Sequence, residues 1–99
     1  MDIKNIKDQK IPRETRLEQN YPNPFNPTTS IWYTVAKSGQ ASLKIFDMSG
    51  KEITTLADSY HPAGIYRVKF NAHNLSSGAY VCRLQTVDAI LSRKMILTK

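Results

Sequence analysis

The side chains able to do chemistry are few and scattered along the chain. The two histidines, His61 and His73, fall in stretches that read as exposed loops. Neither stands two or four residues from a second ligand type, the spacing that short metal motifs use. Asp58 could join His61 at a metal, but a pair without a third ligand makes no site. The single cysteine, Cys82, excludes an internal disulfide. It lies in the alternating run Tyr80-Val81-Cys82-Arg83-Leu84 and reads as a small buried hydrophobe, with no base placed to activate it. No tight run of oxygen ligands spells a calcium loop. The four glycines are too dispersed for a phosphate-binding loop, and paired carboxylates are missing. No catalytic, metal-binding or cofactor-binding residue is therefore assigned.

Binding chemistry is better represented. Trp32, Tyr33 and Phe46 are aromatic residues in strand-like runs, where a stacking platform for nucleic acid would place them. The net charge is +6, from 14 Lys and Arg against 8 Asp and Glu. The basic residues are nevertheless spread along the chain, as on an ordinary solvated surface, and nucleic acid is not expected as a partner. An exposed Trp32 leaves one alternative open, a carbohydrate- or protein-binding module of a secreted enzyme. Asn74-Leu75-Ser76 spells a glycosylation sequon that carries no weight alone.

The elements that would position these residues are strands. Met1 to Arg16 lack any lasting period and read as a linker lead-in without fixed structure. Asn20-Tyr21-Pro22-Asn23-Pro24-Phe25-Asn26-Pro27 follows, a stiff, extended and turned loop, because each proline fixes its own φ and restrains the residue before it. Tyr21 and Phe25 are expected to anchor this loop by plugging one end of a core. From Thr29 the period becomes 2. Thr29–Val35, Ala41–Asp47, Lys51–Ala57, Ile65–Phe70, Ala79–Val87 and Ala89–Thr98 read as strands. Asp47 is expected to cap the Ser49-Gly50 hairpin turn, where glycine supplies the positive φ. Ile53 and Leu56 break strict alternation and hint at a bulge. Loops are expected at Asp58–Gly64 and Asn71–Gly78, and a hairpin turn near Asp88.

Six or seven short strands with turn signals at short intervals, and no helical stripe, predict an all-β fold, an antiparallel sandwich of one domain. The 99 residues suffice for one thin core. No apolar run is long enough for a membrane-spanning helix, and no stable membrane insertion is expected. Met1-Asp2-Ile3-Lys4 leads into a charged stretch without the apolar segment of a secretory signal. An exported parent protein would carry that signal elsewhere, so the chain is expected to be part of something longer.

Five blocks in order carry a family resemblance. Leu17-Glu18-Gln19-Asn20-Tyr21-Pro22-Asn23-Pro24-Phe25-Asn26-Pro27-Thr28-Thr29 resembles the opening signature of the type IX secretion system (Por secretion system) C-terminal sorting domains, type A group. Leu43–Lys51 is similar to the family's strand, aspartate and glycine hairpin, and Ala63-Gly64-Ile65-Tyr66 to its glycine-led strand start. Leu75–Leu84, with Ser77-Gly78, resembles its serine–glycine block, and Lys94–Lys99 its closing basic–apolar tail. Cys82 stands where an aromatic or apolar residue is more usual, and Thr98 interrupts the last aliphatic run.

The resemblance covers residues 17–99. It implies an immunoglobulin-like sandwich of about seven strands and a tail that directs a larger cargo, fused at its N-terminus, across the outer membrane. It also implies passage through the periplasm to the cell surface or medium. The implied partners are the outer-membrane secretion machinery, with shuttle and sortase-type components, and the tail is in some members removed or exchanged for a surface anchor. On this reading Arg83, Lys94 and Lys99 form a basic patch near the last hairpin. Together with Arg93, Met95 and Leu97 they are the expected recognition residues, steering an acidic receptor by charge and holding it by apolar contact. The structural motif comprises Asn20, Tyr21, Pro22, Asn23, Pro24, Phe25, Asn26, Pro27, Asp47, Gly50, Gly64 and Gly78. Dimerisation through the terminal edge strand is a further expectation.

Overall fold

A computed structural model describes residues 14–99. It contains seven strands: β1 (Arg16–Leu17), β2 (Thr28–Val35), β3 (Gly39–Asp47), β4 (Glu52–His61), β5 (Gly64–Asn71), β6 (Gly78–Gln85) and β7 (Ile90–Leu97). They form two antiparallel sheets, a three-stranded one in the order β1-β2-β5 and a four-stranded one in the order β4-β3-β6-β7. Consecutive strands cross between the sheets at β2–β3, β4–β5 and β5–β6, so the fold is an immunoglobulin-like sandwich rather than two meanders.

Period-2 alternation decides which side chains meet. Ile31, Tyr33 and Val35 of β2 face Ala41, Leu43 and Ile45 of β3, with Tyr80, Cys82 and Leu84 of β6 and Met95 and Leu97 of β7 completing the core. All of these are buried. Residues of the opposite parity point outward, and that places Trp32, Arg83 and Lys94 on the outer faces.

Ile53 and Leu56 have opposite parity yet both pack against the core. Two register shifts on β4, between the partners of Leu43 and Lys44 and of Ile45 and Phe46, make this possible. Each shift inserts one unpaired residue, which re-aims the chain that follows.

Three expectations change. First, β4 does not stop at Ala57. It pairs with β3 as far as His61 opposite Gly39, so the loop expected over Asp58–Gly64 shrinks to Pro62 and Ala63. Continued pairing wins because β3 begins two residues before Ala41. Second, His61 is therefore no exposed loop residue. It is buried at the end of β4, bonded through Nε2 to the Tyr33 hydroxyl at 2.8 Å and through Nδ1 to the Ser59 carbonyl at 2.9 Å. Its inward parity places it beside the Tyr33 and Tyr66 rings, whose polar tips need partners once buried. Third, most of the expected lead-in, residues 1–16, lies outside the described residues, but its last two belong to the fold. Thr15 is buried and Arg16 pairs with Thr34.

Candidate recognition surfaces

Among the described residues the sandwich has two dissimilar poles. Residues Glu14 to Arg16 enter at one, beside the β2–β3, β4–β5 and β6–β7 connections. The proline–asparagine loop, the β3–β4 hairpin and Lys99 lie at the other. The eight-residue strand β7 between them spans roughly 27 Å.

At the far pole the loop is held by a set of bonds to β7. Phe25 N donates to the Ile96 carbonyl and Thr98 N donates to the Phe25 carbonyl, both at 2.9 Å. Ile96 N donates to Asn23 Oδ1 at 2.9 Å, and Gln19 Nε2 donates to the Lys94 carbonyl at 2.8 Å. The Phe25 side chain, 1% exposed, enters the core with its ring centroid 6.1 Å from that of Phe70. Pro22, Asn23, Pro24 and Asn26 stay exposed around it, and Pro27 is half-buried with its carbonyl accepting from Ala72 N.

Tyr21 does not plug the core. It is 80% exposed, because its backbone pairs with Ser30 and that register turns its side chain outward. The inward position falls to Asn20, which is buried. Its Nδ2 donates to Thr29 Oγ1 at 3.0 Å and to the Pro22 carbonyl at 3.1 Å, while its Oδ1 accepts from Gln19 Nε2 at 2.8 Å. A buried amide with partners on both its ends fixes the loop's path from inside. Hydrophobicity points to Tyr21, and alternation counted from buried Leu17 would also turn Tyr21 inward; the long-range pairing with Ser30 is what separates it from Asn20.

The hairpin beside it turns on Asp47. Its Oδ1 accepts from Ser49 N, Ser49 Oγ and Lys51 N at 2.9, 2.6 and 3.0 Å. The Ser49 side chain and the Lys51 amide hold the carboxyl below its ordinary value. Gly50 has φ of +91°, a conformation costly for any residue with a Cβ. Gly64 and Gly78 open β5 and β6.

The expected recognition residues divide three ways. Arg83 and Lys94 share the outer face of the four-stranded sheet, where Val81 is opposite Lys94 and Arg83 opposite Ser92. The Arg83 guanidinium lies 4.3 Å from the Phe46 ring centroid, and half-buried Val81 and Ile96 complete an apolar ground beneath the charges. Met95 and Leu97 face the opposite way and are buried in the core, so they cannot touch a partner while the chain is folded. Arg93 shares their parity but sits at the sheet margin, where Nε donates to the Leu17 carbonyl at 2.9 Å. Lys99 lies past the strand, with N on Ser77 Oγ at 3.0 Å and Nζ on the His73 carbonyl at 2.6 Å. The basic patch thus unites Arg83 and Lys94 and leaves Lys99 apart.

The same bonds qualify the expected edge pairing. β7 ends the four-stranded sheet, but its outward groups at Lys94, Ile96 and Thr98 are taken by Gln19, Asn23 and Phe25. Strand addition along that half would have to displace the loop.

The proline–asparagine loop and the terminal strand are bonded into one structure, with the capped hairpin at the same pole. The description "Secretion system C-terminal sorting domain" matches residues 19–98. The chain belongs to that family. Its role is that of a secretion signal, with secretion or the cell surface as the destination. No curated protein matches the chain. Among solved structures, the sorting domain is similar in fold to part of PorZ, described as an essential bacterial surface component of the type-IX secretion system of Porphyromonas gingivalis. The likeness has a TM-score of 0.54 at 20% identity and covers 86% of this chain and 11% of that one. The chain therefore spans about a ninth of that structure's length. A mouse SynCAM 2 Ig1 domain aligns over 88% of this chain and 95% of its own, at 12% identity and a TM-score of 0.44.

Proposed function

We propose that the sorting domain is the tail of a larger exported protein, performs no catalysis itself, and is read on the outer face of its four-stranded sheet. The cargo is fused ahead of Glu14. Outer-membrane secretion machinery, with shuttle and sortase-type components, is the partner, met on the periplasmic side. The observation that carries the reading is the placement of Arg83 and Lys94. They stand diagonally on neighbouring strands, Arg83 over the Phe46 ring and Lys94 opposite Val81, and this mixture of charge and apolar surface is the composition of a protein–protein contact. Glu52 lies 3.5 Å from Lys44, and neither Arg83 nor Lys94 has an ion pair among the described residues. A receptor with acidic groups would find both cations available.

The poles support the same reading. Cargo would attach where Thr15 enters, and the signature loop sits at the opposite end. A folded cargo of any kind then leaves that end open, which a signal shared by unrelated proteins requires.

Grafting tests the proposal. A reporter carrying its own signal peptide and residues 14–99 at its C-terminus should leave cells that possess the machinery. The same reporter without the graft should remain in the periplasm. Equal release of both would contradict the reading.

A further inference from the structure

The outer face of the three-stranded sheet carries a second feature that the sorting reading does not use. The register sets the residues in rows. Thr34 stands between Arg16 and Ile65, Trp32 opposite Arg67, and Ser30 between Tyr21 and Lys69. Tyr21, Trp32 and Ile65 consequently run diagonally across the sheet. Diagonal neighbours of this kind lie about 7–8 Å apart at the backbone, within reach of aromatic side chains. All three are large and exposed, at 80%, 46% and 62%. The Arg67 guanidinium lies 5.8 Å from the Trp32 ring centroid. Arg16 is neutralised by Glu18 at 3.0 Å, whereas Arg67 and Lys69 have no carboxylate within ion-pair distance among the described residues.

We infer that this face is a docking surface for a protein partner bearing clustered Asp and Glu around an apolar spot. Its composition is that of binding hot spots, Trp, Tyr and Arg, with a charge of one sign left unmatched. Two other occupants fit less well. A second copy of the chain would bring the same cations from both sides, with Glu18 already on Arg16, so the like charges would stay unmatched. A neutral sugar would stack on the Trp32 ring, but Arg67 already lies over it, and the face is a flat sheet rather than a cleft. The inference does not rest on the Arg83–Lys94 face, which lies on the opposite sheet.

Site-specific photo-crosslinking in exporting cells tests it, with the crosslinking residue at Ile65 of the full-length exported protein. The expected product is one protein adduct, with the joined peptide rich in Asp and Glu. R67E/K69E should lower its yield at least tenfold, K51E at the exposed β3–β4 hairpin should leave it unchanged, and reversing the partner's acids to lysine should restore it with R67E/K69E. Protection of Cys82 from thiol reagents verifies that each variant is folded. An adduct to a second copy or to a glycan, a yield indifferent to R67E/K69E, or no adduct at all would each overturn the inference.

Discussion

The two poles of the sorting domain are closed by opposite means. Where the chain enters, polar side chains bond to one another. Thr15 Oγ1 donates to Asp88 Oδ1 at 2.8 Å and accepts from Ala36 N at 3.2 Å, and Tyr33 and His61 share a buried bond below. At the far pole an aromatic side chain fills the core and its own backbone is strapped to β7. The near pole resembles a latch of small, separable bonds. The far pole resembles a plug whose removal opens the core and frees the terminal strand together. If cargo joins at the near pole, as proposed, the plug lies at the end that faces away from it.

That contrast can be broken first at Phe25. Phe25→Ala removes a fully buried ring and should cost about 3–5 kcal/mol, the range for truncating a large core side chain. Urea denaturation monitored at Trp32 would measure it, and a cost no greater than that of a near-pole variant would erase the asymmetry. Tyr33→Phe keeps the ring and strands the buried His61 nitrogen, for which the expected loss is about 1–3 kcal/mol. Asn23→Ala removes the acceptor for Ile96 N and should cost about 0.5–1.5 kcal/mol. It should also speed amide exchange at Ile96 while leaving Val81 and Cys82 slow. Uniform loss of protection would show that the strap is not a separable part.

Acid gives the smallest effect and reaches both poles. Asp88 is held below the ordinary carboxylate value of 3.8 by bonds from Thr86 and Thr15. Asp47 is held below it by Ser49 and Lys51. A depressed folded pKa means stabilisation that is present above the unfolded value and lost as pH falls through the folded one. Denaturation midpoints should therefore fall below about pH 3.8. Asp88→Asn should reduce that fall without abolishing it, because Asp47 still contributes. An unchanged fall in Asp88→Asn would remove the latch from the account.

Much of this was legible in the sequence. Alternation made the strands over Thr29–Val35 and Ala79–Leu84 legible, and it aligned Tyr80, Cys82 and Leu84 on the face that is buried, although apolar Trp32 and Val81 stand on the outward parity. Asp47 and Gly50 were readable because a turn makes chemical demands within a few residues. What escaped were facts of register and long-range contact. Tyr21 looks like an anchor by hydrophobicity, yet pairing with Ser30 turns it outward and buries Asn20. His61 looks like a loop residue until the length of β3 extends β4 beneath it. Met95 and Leu97 looked available to a partner, yet both are buried in the core, and beside Leu97 the strand is covered by Phe25, some seventy residues earlier. Deleting Met95–Lys99 would therefore unfold the core as well as remove the tail, and surface substitutions are the cleaner probe.

The most direct measurement is export of a reporter fused ahead of residues 14–99, carrying either R83E/K94E or no change. Folding is verified in both by protection of Cys82, whose thiol burial pushes up to about 12 and keeps unreactive. R83E/K94E should lower exported reporter at least tenfold, with Cys82 protected in both forms. Unchanged export by the folded R83E/K94E chain would contradict the proposed function of this face.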